Sequence, residues 1–214
     1  MGRQSMIGRI ITCDADITEG LEWLCQAEPR FADVAADLVP LPLRLKPEGF
    51  GQVMSAILGQ QVSVASANAT WQRMVEAGMD QPENVAKTTP DDLRALGLSR
   101  QKALYAQELA KADLNYAALR ELPDGDVIKT LTAVKGIGLW TAEIYAKFSL
   151  GRADILAAGD LAIQIAAQDL FDLSERPKEK ELRKMAIAWS PWRSVAARLL
   201  WAYYAQMKQR DGIR

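Results

Sequence analysis

The segment Leu131-Thr132-Ala133-Val134-Lys135-Gly136-Ile137-Gly138-Leu139-Trp140-Thr141-Ala142 constrains this chain more than any other. Apolar residues recur at helical spacing up to Val134 and again from Leu139. Gly136-Ile137-Gly138 interrupts them. Glycine takes positive φ at little steric cost and, lacking Cβ, lets another group come close to the backbone. Consecutive N–H groups in such a turn, at the start of a helix, form an anion site. The pattern predicts helix, tight hairpin, helix. Two uses fit it: a grip for a phosphate, or an ordinary αα-hairpin.

The flanking sequence reads as helix after helix. Thr18 is placed to cap a helix running to about Ala27, and Pro29 to open one to about Leu38. Pro40-Leu41-Pro42 through Pro47-Glu48-Gly49 breaks the pattern and marks a boundary. Phe50, Val53, Met54, Ile57 and Leu58 resume it. Gln60-Gln61 then interrupts, and Ser63 is a cap for a helix to about Ala77. Thr89-Pro90-Asp91-Asp92 has a cap, a proline at the first position and acids in the first turn. Ser99 begins a helix to about Ala112, and Asp124 caps the one that enters the hairpin. Trp140, Ile144 and Phe148 share a face of the helix that leaves it. Gly151 to Gly159 is a loop, and Asp160 stands where a helix to about Phe171 begins. Pro177 opens another, with Lys178-Glu179-Lys180-Glu181 as a solvated face. Ser190-Pro191 caps a last one to about Lys208. Ile7 to Ile11 could be extended but has no alternating partner, so the fold class is all-α.

Composition narrows the chemistry. The 214 residues suffice for one domain or two small lobes. No apolar run reaches a membrane span, and Met1 to Met6 lack the apolar core of a signal peptide, so a cytoplasmic location is expected. Histidine is absent, and Cys13 and Cys25 are the two cysteines. Zinc sites and iron–sulfur clusters of the common kinds are therefore not expected. Acid–base work falls to carboxylates, lysine or tyrosine. The net charge of −1 argues mildly against nucleic acid, although backbone amides can hold phosphate without lysine or arginine.

Asp160 follows Gly138 by 22 residues, inside Ala157-Ala158-Gly159-Asp160-Leu161. With Val134 to Ala142, it resembles the helix-hairpin-helix DNA glycosylase superfamily. Ala56-Ile57-Leu58-Gly59-Gln60-Gln61-Val62-Ser63 upstream and Ser190-Pro191-Trp192-Arg193 downstream resemble its bacterial 3-methyladenine DNA glycosylase II members. The resemblance runs from about Phe50 to about Tyr204. It implies two helical lobes with an active-site cleft between them. Residues 1–48 and 155–214 would form one lobe; residues 49–154 would form the other and carry the hairpin at about 125–149.

The resemblance also assigns roles. Asp160 is the catalytic carboxylate, stabilising positive charge on the sugar and orienting water. From the residues alone Asp160 reads first as a helix N-cap; the resemblance reverses that order, and both can hold. Trp140 stands where bifunctional relatives carry a Schiff-base lysine, which implies a monofunctional enzyme. Its indole face, and that of Trp201, would stack on a cationic alkylpurine; either could instead be core. Ile144 replaces a tyrosine of the nearest relatives in this pocket. Gly136, Ile137, Gly138 and Thr141 would contact DNA at the hairpin. Gln61, with Gln60, would fill the gap left by a flipped base, or form a polar turn between helices. Arg193 is a supporting residue, at the surface or tied to an acid that braces Asp160. No organic cofactor is implied; K⁺ or Na⁺ at the hairpin backbone near Gly136 and Gly138 is what the family allows.

The expected activity is hydrolysis of the N-glycosidic bond of alkylated purines, of the 3-methyladenine and 7-methylguanine type, in duplex DNA during base excision repair. The partner would be duplex DNA containing alkylated bases, with no membrane and a monomeric chain. A non-catalytic helix-hairpin-helix DNA-binding or damage-recognition protein, and a structural helical interaction protein, remain as alternatives.

Overall fold

A computed structural model describes residues 7–212, with side chains to residue 209. Met1 to Met6 of the N-terminal reading and of the expected first lobe lie outside the described residues. The chain is all-α: α1 (Asp14–Ala27), α2 (Pro29–Leu38), α3 (Phe50–Leu58), α4 (Val64–Glu76), α5 (Pro82–Lys87), α6 (Pro90–Ala95), α7 (Arg100–Lys111), α8 (Tyr116–Leu119), α9 (Asp124–Thr132), α10 (Leu139–Phe148), α11 (Leu161–Leu170), α12 (Glu179–Met185), a 3₁₀ turn (Ala186–Trp189) and α13 (Arg193–Gly212). Among the described residues the extended structure is an isolated antiparallel bridge between Ile10 and Arg152. No helix among them is long and apolar enough to cross a membrane.

The chain divides into two compact units. One is Lys46–Leu150 with Ile7; the other joins Gly8–Leu45 to the residues from Gly151 onward. These boundaries fall a few residues before those read from the sequence. The first unit holds α3 to α10, around Val53, Met54, Ile57, Met74, Val85, Leu93, Val127 and Leu131. The second holds α1, α2 and α11 to α13. Its centre is aromatic: Phe31 meets Trp189 edge-on at 5.2 Å between ring centroids and Phe171 at 5.7 Å. Burying rings of this size is worth about 1.5–3 kcal/mol each, and edge-to-face contact adds to that. Trp189 and Trp192 are thus plain core.

Side-chain capping explains several helix starts. Ser63, Thr89, Ser99, Asn115 and Asp160 each accept a backbone N–H of the first turn they precede. Four starts differ from the sequence reading; one is α12, which begins at Glu179 after its N-cap Lys178, so Pro177 lies just before the helix rather than opening it. Helix α1 begins at Asp14, because Asp16 Oδ2 accepts the N–H groups of Thr12 and Cys13; Thr18 lies inside it and its hydroxyl donates to the Asp14 carbonyl. Asp124 is the first residue of α9 rather than its cap, which is Pro123. Helix α13 starts at Arg193, after the Ser190-Pro191 bond. Helices α5 and α8 were not legible as such; each is six residues or fewer, too short for a periodic stripe.

Candidate active site and nucleic-acid interface

In the first unit, α9 ends at Thr132 and α10 begins at Leu139, so six residues turn the chain. The Ile137 N–H closes the turn on the Val134 carbonyl at 3.0 Å, and the Ile137 side chain is buried. The two glycines do different work. Gly136 has φ +99°, and a Cβ there would lie 2.2 Å from Cγ of Tyr105. The fold itself demands glycine at 136. Gly138 is extended (φ −80°, ψ 171°), is the N-cap of α10 with no side-chain cap bond, and a Cβ there would meet nothing within 4 Å. Nothing among the described residues requires glycine at 138.

The polar residues expected on DNA divide likewise. Gln60 is turned inward: its Nε2 donates to the Gly136 carbonyl at 3.1 Å and to Thr141 Oγ1 at 2.8 Å. Thr141 is buried. These two side chains therefore hold the hairpin, a role the sequence reading, which had them as DNA contacts, did not foresee. Gln61 is exposed, in the left-handed region at φ +57°, with Val62 and Val64 also exposed beside it. Lys102, unremarked in the sequence, donates to the carbonyls of Leu58 and Gln60 at 2.7 and 2.8 Å. Burial there lowers its ammonium pKa below the usual lysine value. Trp140 and Ile144 are half-buried, whereas Phe148 on the same face is buried.

The two carbonyls named for a cation already accept hydrogen bonds. The Gly136 carbonyl accepts Gln60, and the Gly138 carbonyl accepts the Ala142 N–H at 3.1 Å. Each oxygen keeps a second lone pair, on which K⁺ or Na⁺ would have to sit. Among the described residues no group of three or more Cys, Asp or Glu is placed to hold a metal ion.

In the second unit, Asp160 is both cap and carboxylate. Its Oδ1 accepts the N–H groups of Ala162 at 3.0 Å and Ile163 at 3.3 Å. The Trp201 indole N–H donates to the same oxygen at 3.2 Å. So Trp201, read from the sequence as a stacking wall, also holds the carboxylate. The loop that delivers Asp160 is stitched to the start of α13. Arg193 forks onto Asp154 at 2.6 and 2.7 Å, and the Ser190 hydroxyl donates to Asp154 at 2.7 Å. Burial pushes the Asp154 pKa up, but these donors outweigh it, and the net shift is downward. The Ser194 N–H donates to the Ala153 carbonyl at 2.8 Å. Gln164 Nε2 donates to the Ala158 carbonyl at 2.8 Å. Arg193 is thus tied to an acid, the second of its two readings. Asp154 and Ser194 were missed; their signal is the short polar interruption of apolar runs, which does not name a partner.

Known proteins share this sequence pattern and fold. The model for the HhH-GPD superfamily of base excision DNA repair proteins matches residues 54–193. The chain is 26% identical to the alkylbase DNA glycosidase-like protein mag2 of Schizosaccharomyces pombe, over 88% of this chain and 94% of that one. It superposes on a DNA-3-methyladenine glycosidase from Bacillus halodurans with TM-score 0.75 and 30% identity, covering 94% of each chain. It superposes on the S. pombe 3-methyladenine DNA glycosylase Mag1, solved with abasic DNA, with TM-score 0.73 and 27% identity, covering 87% of this chain and 95% of that one. With its hairpin glycines, its capped aspartate and a family match over more than half its length, the chain belongs to the HhH-GPD superfamily of base excision DNA repair proteins.

Proposed function

We propose that this protein is a monofunctional DNA glycosylase that releases alkylated purines from duplex DNA. The observation that carries the reading is the Asp160 carboxylate at the N-terminus of α11, fixed at Oδ1 by two backbone N–H groups and the Trp201 indole. Loss of a purine builds positive charge on the deoxyribose. A fixed carboxylate stabilises that charge without reorganising at the moment of bond breaking. It also orients the water that completes hydrolysis. Trp140 in place of an amine leaves no Schiff-base nucleophile at that position, so the product is an abasic site and a free base.

The relatives named above for 3-methyladenine support the substrate class. The half-buried indoles of Trp140 and Trp201 are suited to cationic bases: cation–π attraction is worth about 0.5–2 kcal/mol. Such a base is already a good leaving group, so little acid catalysis is needed. The uncapped start of α10 would hold a DNA phosphate, and Gln61 would fill the gap left by the flipped base. The protein would act as a monomer. The test is a base-release assay on methylated duplex DNA. Free 3-methyladenine and 7-methylguanine, with abasic sites and no strand breaks, are expected. Intact duplex at enzyme excess would refute the reading.

A further inference from the structure

We propose that Gln60 and Lys102 are positioning residues that lock the Gln61 turn to the hairpin, so that the phosphate grip and the gap-filling side chain move as one piece. The inference rests on the glycosylase reading for the roles of Gln61 and the hairpin, and on geometry for everything else. The Gln60-Gln61 turn follows α3, where carbonyls of the last helical turn lack intrahelical donors. Lys102 Nζ takes one of them, from Leu58, and also the Gln60 carbonyl of the turn itself. One turn further along α7, Tyr105 packs against Gly136 so closely that a Cβ at 136 has no room. One face of α7 therefore touches both the end of α3 and the hairpin. The Gln60 amide closes the triangle, since its two N–H bonds go to a carbonyl of the hairpin and a hydroxyl of α10. Each leg is a hydrogen bond or a ring contact between different elements, so none follows from helix formation alone.

The left-handed backbone at Gln61 is strained for a residue with a Cβ, by about 1–2 kcal/mol. Bonds on the preceding residue offset that strain. They turn the Gln60 side chain in and leave Gln61 exposed. If the bracket holds Gln61 ready, its loss will be felt where base pairing must be broken, and less where the base is already unpaired.

The experiment compares the full-length parent, Gln60→Ala, Lys102→Met, Gln61→Ala and Gln60→Ala/Gln61→Ala. Single-turnover release of 7-methylguanine is measured opposite cytosine and opposite an abasic gap. Gln60→Ala and Lys102→Met are expected to slow release from the paired site at least tenfold more than from the gapped site. The double variant should be no slower than Gln61→Ala. Amide hydrogen exchange, which needs no activity, should quicken at both Gln61 and Ile137 in either bracket variant. Equal slowing on both substrates, additive losses in the double variant, or exchange confined to the mutated element would overturn the bracket. A parent that releases no base from either substrate would refute the glycosylase reading instead, and the exchange arm would still decide the bracket. If Gln60→Ala fails to fold, Lys102→Met carries each arm, combined with Gln61→Ala for the additivity arm, because it keeps the aliphatic stem and removes only the donor.

Discussion

Gly138 separates a structural turn from a nucleic-acid grip. Substituting valine there costs the protein little. The backbone is already extended, and a Cβ meets no atom within 4 Å. Valine is a poor N-cap, a loss of about 0.5–1 kcal/mol. Removing a glycine from the unfolded chain returns about 0.4–1 kcal/mol. The two nearly cancel, and the melting temperature should move by no more than about 4 °C. Binding responds differently. The same open space lies over the first N–H groups of α10, where a phosphate would have to sit. Blocking one hydrogen bond to a charged oxygen, at about 1.5–3 kcal/mol, should weaken duplex binding by roughly 10- to 150-fold. The loss should be alike for damaged and undamaged duplex, because phosphates carry no lesion information. Gly136→Ala gives the opposite pattern: φ +99° and the Tyr105 ring should cost about 2–4 kcal/mol of stability. Fluorescence anisotropy with a labelled duplex, beside thermal melts of both variants, reads the difference. A folded Gly138→Val protein that binds DNA as tightly as the parent would refute the argument, and the hairpin would be a structural turn.

Asp160→Asn should reduce single-turnover base release by at least about a thousandfold while duplex affinity stays within about tenfold, because the lost interaction belongs to the transition state; an active Asn variant would remove Asp160 from the chemistry. Borohydride should trap no protein–DNA adduct, since Trp140 offers no amine; a trapped band on gels would show that another residue attacks the sugar. Trp201→Phe keeps a ring and removes the N–H on Asp160, so it should lower the rate of release more than it weakens binding of an abasic duplex; equal changes would leave Trp201 as packing alone. Asp154→Asn should lower the melting temperature at neutral pH. The folded Asp154 pKa lies below the ordinary carboxylate value near 4, so its contribution is present above that pH and lost as pH falls through the folded value; melts at pH 3 should show a smaller difference, and a gap that widens in acid would refute the assignment.

What the sequence revealed depended on range. The hairpin, the caps at Ser63, Thr89, Ser99 and Asp160, and the all-α class are local, and residues within four positions of each other decide them. Thr18 misled because Asp16, two residues earlier, competes for the same chain end and offers a charged acceptor to Thr12 and Cys13. The failures at the site are of longer range. Gln60 and Thr141 look like surface polar residues at a helix break and a helix start. Their bond to each other spans 81 positions and has no periodic trace. Lys102 sits on a helix face where a lysine ordinarily meets solvent, yet its ammonium ends on two carbonyls more than 40 positions away.

The same distinction bears on how Asp160 can be both cap and candidate catalyst. A cap needs only that its oxygen accept N–H groups two and three residues ahead, which the chain supplies locally. A catalytic carboxylate needs its orientation fixed against the substrate, and a cap alone leaves the loop before it free to shift. Here α13 supplies the rest along its own length. Arg193 and Ser194 hold the loop that leads into Asp160, and Trp201, two turns further along, holds the carboxylate oxygen. A single rigid helix thus fixes both the approach to the residue and the residue itself. That is why an arginine and a tryptophan eight positions apart in the sequence should fail in different ways. Loss of Arg193 loosens the loop and is felt in stability. Loss of the Trp201 N–H leaves the loop in place and is felt in the rate.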